Sequence, residues 1–245
     1  KVRAIATNVD WPCDVKTLFR ADNLGCKDAV TDAITWFFYY EEKGIILEDD
    51  CLPSQSFFWF CEALLEKYKD DTRVGQISGF NKLSKADNIS NGYDYLTGGS
   101  IWGWATWKRV AKDFYGFYGK DTGDIFDSMW RFTDDYKESK HIYKNLERIK
   151  EERLSTWDYF WGAMLKANSN LSVVPHKNLV TNIGFGKDAT HTSGRFENPP
   201  LFEINLSQIQ PPEFVSPNKL RSKQQAGTNQ FSLFKKIINR LKRLA

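Results

Sequence analysis

Apolar positions in the first half of the chain alternate between two spacings. Residues 2–6 form a short apolar stretch that predicts a strand, and residues 15–20 a second extended segment. A loop at 21–25 leads into residues 27–42, where Val30, Ala33, Ile34, Phe37 and Tyr40 recur at helical spacing. Ile45, Ile46 and Leu47 then run consecutively, as in a buried strand of a parallel sheet. After Pro53, Ser54 or Ser56 can cap a helix whose stripe is Phe57, Cys61, Leu64, Leu65 and Tyr68. Residues 74–79 read as the next strand. Strand, helix, strand, helix, strand predicts an α/β fold with a mainly parallel sheet flanked by helices.

The second half is less regular. Residues 81–95 are polar and loop-like. Gly98, Gly99, Trp102, Trp104 and Trp107 form a glycine and tryptophan cluster leading into a helix. Residues 121–153 are charged and mostly helical, 156–167 form a helix opened by Trp157-Asp158, and 171–175 form a strand. A glycine loop at 182–186 precedes His191. Residues 199–227 are rich in Pro, Gln and Asn and read as linker-like. The expected organisation is a domain over 1–198, a linker-like segment over 199–227 and a basic amphipathic helix over 228–245.

Composition narrows the class. The chain is 41% apolar and 27% charged, as in globular proteins, with 15% aromatics and nine Trp. Such an aromatic excess suits a large core or a sugar-handling surface. No run approaches the roughly eighteen apolar residues of a membrane span. The start at Lys1 resembles no signal peptide, and a chain not beginning with Met is read as trimmed or a fragment. Four cysteines without a Cys-x-x-Cys pair fit neither a zinc site nor a disulfide scaffold, and are expected to be reduced, as in the cytosol. Residues 219–245 carry eight Lys/Arg and no acid, which leaves the body at −5 against a total of +3. An acidic body with a basic tail argues against a nucleic-acid binder. In the tail, Phe231, Phe234, Ile238 and Leu241 share one helical face, and the basic residues could meet an anionic membrane surface.

The chemistry concentrates in Glu48-Asp49-Asp50, three carboxylates at a predicted strand end, where ligands of open α/β sheets bind. Adjacent carboxylates repel, so a hard divalent cation is a natural partner, Mn²⁺ or Mg²⁺. A solvated acidic turn is the alternative.

The triplet after Ile45-Ile46-Leu47, followed by Pro53 and Phe57-Phe58, together with Leu18-Phe19-Arg20, Asn23-Leu24-Gly25, Trp157-Asp158 and a late His, resembles nucleotide-diphospho-sugar glycosyltransferases of the GT-A fold. The N-acetylglucosaminyltransferase I type and bacterial surface-polysaccharide glycosyltransferases are the nearest in kind. The resemblance spans about residues 1–195 and enters the N-terminal nucleotide-binding unit partway, which implies either that this unit is incomplete in the chain or that the base is held differently. It implies a metal-dependent, inverting transfer from a nucleotide-diphosphate sugar to a carbohydrate or lipid-linked glycan acceptor, in the cytoplasm or at the inner membrane face. By the same resemblance Asp50 and His191 would bind the metal. Arg20, Glu48 and Asp49 would face the nucleotide sugar, Asp158 would be the catalytic base, and Trp102 and Trp104 would offer an acceptor platform. Two rivals remain: a glycan-binding module without catalysis, and a metal-dependent phosphohydrolase, whose usual Asp-x-Asp signature this triplet lacks.

Overall fold

The structure, a computed structural model, describes residues 2–84, 90–185 and 197–227. The C-terminal helix expected over 228–245 lies outside these residues, as does His191. Two short expectations change at the N-terminus. Residues 2–6 belong to a helix, α1 (Val2–Thr7), and residues 15–20 adopt no regular structure. An apolar stretch becomes a strand only beside another strand, and neither segment has one among the described residues.

From there the alternation is realised. Helix α2 (Gly25–Tyr40) leads to β1 (Lys43–Ile46) and β2 (Cys51–Pro53). Helix α3 (Gln55–Lys67) leads to β3 (Val74–Ser78). The predicted stripe of α3 is buried throughout, with Phe57 and Cys61 at 0% exposure. Its N-terminus is capped differently from expectation: Ser54 is the N-cap residue but makes no side-chain cap, and its hydroxyl pairs with that of Ser56. The Glu203 carboxylate accepts from Gln55 N (2.9 Å) and Ser56 N (2.8 Å) instead, a charged acceptor at the positive end of the helix.

The sheet is mixed, not mainly parallel. Between β3 and the last domain helix lie β4 (Tyr93–Leu96), β5 (Trp104–Trp107), the short helices α4 (Lys108–Ala111) and α5 (Phe114–Phe117), then α6 (Thr122–Thr133) and α7 (Tyr136–Lys150). Helix α8 (Asp158–Ala167), β6 (Leu171–Pro175) and β7 (Val180–Asn182) follow. The five-stranded order is β1-β5-β3-β6-β4, and β2 pairs with β7 in a separate antiparallel ribbon. Strands β1, β3 and β6 run one way, as the strand–helix alternation requires. Strand β5 is antiparallel to both β1 and β3 and separates them, and β4 runs antiparallel to β6. Both antiparallel strands come from segments read as loop or helix approach. Strand β5 is buried at every position, so it shows no alternation of apolar and polar residues. At the edge of the sheet, β1 is only half-buried, and Leu47 beyond it is 39% exposed, short of the fully buried strand expected.

Residues 199–227 have little regular structure beyond a turn at Leu206–Gln208 and helix α9 (Lys219–Ala226), yet they are anchored along the domain. Gln210 N donates to Asn91 O (2.8 Å) and Asn218 N to Tyr95 O (2.7 Å). Asp94 collects His176 Nε2, Asn218 Nδ2 and Arg221 Nη1, each at 3.1 Å. Burial acts to raise the Asp94 carboxyl, but these hydrogen bonds and charges outweigh it and hold it below the usual carboxylate range. A depressed carboxyl contributes stability that is fully present above its unfolded value and lost as pH falls through its lower folded value. Protonation in acid, below the ordinary carboxylate range, is therefore expected to loosen this anchorage. Amide exchange across 210–226 should rise with acidification in the wild type and depend less on pH in Asp94→Asn.

Candidate functional site

The acidic triplet lies just past the C-terminal end of β1, at the turn into β2. Ile183 N donates to Asp50 O (2.8 Å), continuing the β2–β7 ribbon, and the Asp50 carboxylate packs directly on Gly184. A side chain at Gly184 would collide with it. The triplet is thus fixed against the loop that leads on toward His191.

The Trp157-Asp158 pair, more than a hundred residues later, arrives at the same place. Trp157 is buried and stacks on Trp104 at a centroid distance of 5.8 Å. Its indole donates to Glu48. Asp158 opens α8, where the helix dipole favours a negative charge, and accepts from the Thr156 hydroxyl. Burial, followed by the Asp50 charge, pushes the Glu48 carboxyl up to about 7; Asp158 and Asp49 add to this, and the Trp157 hydrogen bond offsets part of it. Glu48 thus retains a proton nearer neutrality than an ordinary carboxyl does.

Cys26, in the first turn of α2, is the third arrival. Burial, then Glu48 and Asp158, raise its thiol, while hydrogen bonds with Thr156 and the Trp157 backbone oppose them. Gly25, at φ +72°, makes the left-handed turn that starts α2 here, where a Cβ would meet Ser155 Oγ at 3.4 Å. Cys26 is held as a neutral thiol beside the carboxylates.

Next to Asp158 opens a cavity of about 310 Å³. Its walls include Gly99, Ser100, Trp102, Asp158, Gly162 and Lys166. Trp102, half-buried, touches Phe80 and Phe185 edge-on, at 4.8 and 5.4 Å between centroids, which carries the cavity wall across to the loop after β7.

No protein-family model matches the chain, and no curated protein is detectably similar to it. The site therefore rests on its own geometry.

That geometry separates the expected residues. Glu48, Asp50 and Asp158 converge, with Asp49 exposed at the tip of the turn. Trp102 lines the cavity, but Trp104 is 0% exposed, packed between Trp157 and Trp161, and offers no face to an acceptor. Physically it is core, because β5 lies inside the sheet. Arg20 is outside the cavity wall and its guanidinium donates to Asp32 on α2 (3.0 Å). His191 lies outside the described residues. Among those described, no group of three or more His, Cys, Asp or Glu stands close enough to hold a metal. A magnesium-type ion, however, takes one or two protein carboxylates and completes its shell with water and phosphate oxygens. The hard oxygens of Asp50 and Asp49 fit that demand.

Sequence reasoning missed Cys26, the indole of Trp157, and the wall residues Gly162 and Lys166. Only the last two had a signal, since Asp158, Gly162 and Lys166 recur every fourth residue on one helix.

Proposed function

We propose that this chain is a glycosyltransferase with a GT-A-like site that moves a sugar from a nucleotide-diphosphate donor to a carbohydrate acceptor in glycan assembly. One observation carries the reading: Asp158 lines a cavity of monosaccharide size and lies within electrostatic reach of Glu48 in the strand-end triplet, although more than a hundred residues separate the two. A nucleophilic substitution at an anomeric carbon needs a base for the acceptor hydroxyl and an offset for the charge of the leaving diphosphate. Asp158, on the cavity wall, takes the proton at its carboxylate oxygen, and the Thr156 hydroxyl orients that carboxylate. Asp50 and Asp49 would hold Mn²⁺ or Mg²⁺, which supplies Lewis-acid neutralisation of the diphosphate when bound. Trp102 and the bare Gly98-Gly99 backbone give the acceptor a wall that combines an aromatic face with close backbone approach.

Calorimetric titration with UDP and Mn²⁺, followed by a panel of nucleotide sugars scored for metal-dependent donor cleavage, tests this. Metal-dependent nucleotide binding with turnover supports the transferase. Glycan binding with no nucleotide response instead supports the glycan-binding module, a reading that the absence of a three-ligand cluster among the described residues keeps in play.

No helix among the described residues is long and apolar enough to cross a membrane. In this reading, the basic residues of 228–245 bring the enzyme to an anionic membrane surface, each contributing on the order of 1 kcal/mol. Deleting 228–245 should abolish co-sedimentation with anionic liposomes; unchanged sedimentation removes the membrane role.

A further inference from the structure

Helix α8 presents Asp158, Gly162 and Lys166 at positions i, i+4 and i+8, so all three share one face. All three line the cavity. Eight residues of helix span about 12 Å, with a carboxylate at one end and an ammonium at the other. Between them Gly162 leaves a recess: nothing lies within 4 Å of where its Cβ would stand. In a helix interior glycine is costly, and no packing neighbour at this position requires one.

Lys166 is 5% exposed, unusual for a lysine. Its ammonium sits over the backbone at Gly98, 2.6 Å from where a Cβ there would be, so that glycine lets it reach the cavity. Among the described residues its ion pair is with Glu138 at 3.5 Å, a long contact for a buried pair. Glu138 also lies within electrostatic reach of Lys82. Glu138 thus faces two lysines, and the Lys166 ammonium brings positive charge to this end of the cavity. An ammonium has three donors, and one long pair leaves capacity for an acceptor arriving from the cavity. The opposite end carries the Asp158 carboxylate.

We propose that the recess over Gly162 is a subsite for one carboxylated sugar ring of the hexuronate kind, its carboxylate on Lys166 and a hydroxyl toward Asp158. The role of that hydroxyl as acceptor rests on the transferase reading; the subsite itself does not. At about 310 Å³ the cavity is at the small end of ligand sites, which suits a single ring. The charge separation along α8 orders the ring: a carboxylate at the Asp158 end would meet like charge.

Affinities of the full chain for methyl β-D-glucuronide and methyl β-D-glucoside, measured by calorimetry, test it. The two probes differ only at C6, a carboxylate in one and a hydroxymethyl group in the other. The glucuronide should bind at least about tenfold tighter, the discrimination expected of one charged hydrogen-bonded contact. Lys166→Met should erase that preference, and the double variant Lys166→Met/Glu138→Gln should do the same without leaving Glu138 unpaired. Gly162→Leu should abolish binding of both probes while keeping a thermal midpoint no lower than wild type, since its side chain enters open space. Equal affinities in the wild type, no binding of either probe, or a preference that survives in the double variant each overturn the subsite. Nucleotide-sugar turnover, measured separately, divides the two ideas. Turnover without carboxylate preference sinks the subsite alone; carboxylate preference without turnover of any nucleotide sugar sinks the transferase alone.

Discussion

Asp158→Asn is expected to slow sugar transfer by about 10² to 10⁴, the usual contribution of a positioned general base. That is roughly 3 to 5 kcal/mol of barrier. The replacement keeps the side chain's shape and one oxygen for the Thr156 hydroxyl, so the entry to α8 should be preserved. What it loses is the capacity to take a proton. Nucleotide and metal affinity should stay near wild type, because the acidic turn at Asp49 and Asp50 is a separate element fixed by the β2–β7 ribbon. The measurement is a transfer rate paired with a UDP–Mn²⁺ dissociation constant. A normal rate assigns Asp158 to the helix terminus alone. Nucleotide binding lost together with the rate makes it a donor-site or folding residue.

The second large effect belongs to Asp50. Asp50→Asn is expected to weaken metal-dependent nucleotide binding at least about 10- to 100-fold, since even an outer-shell change at a metal site costs that much. Turnover should fall with it. Asp50 is braced on Gly184, so Gly184→Ala should produce a milder form of the same defect by displacing the carboxylate while leaving its charge in place. Calorimetric titration of both variants with UDP, with and without Mn²⁺, separates charge from position. If Asp50→Asn binds the metal–nucleotide pair as the wild type does, the turn is not the diphosphate end of the site.

The two variants should therefore fail in different ways, one in the rate and the other in nucleotide binding. A glycan-binding module would show neither failure, and glycan affinity would persist in both.

The sequence by itself determined the elements whose burial follows their own spacing. Helix α3 buries the predicted stripe from Phe57 to Tyr68, α2 and α8 form where the helical period stands, and the triplet falls at the end of β1 as its flanking pattern requires. These choices are local, because each residue's environment is set by neighbours three or four positions away. The tertiary structure alone decided which strands meet. The segment Trp104–Trp107 carries no alternation because it pairs with β1 and β3 on either side and both its faces are covered, and that insertion turns a series of parallel units into a mixed sheet. The same nonlocal choice sends Trp104 into the core and leaves Trp102 on the cavity wall. It also lets Glu203 cap a helix 148 residues earlier and draws Glu138 from α7 to Lys166 on α8. Such pairings depend on which distant surfaces pack together, and their free energy exists only once the chain has closed the intervening loops. The carboxylates were legible as residues at a strand end; the cavity between Asp158 and Lys166 became a site only when β5 and α8 were laid against each other.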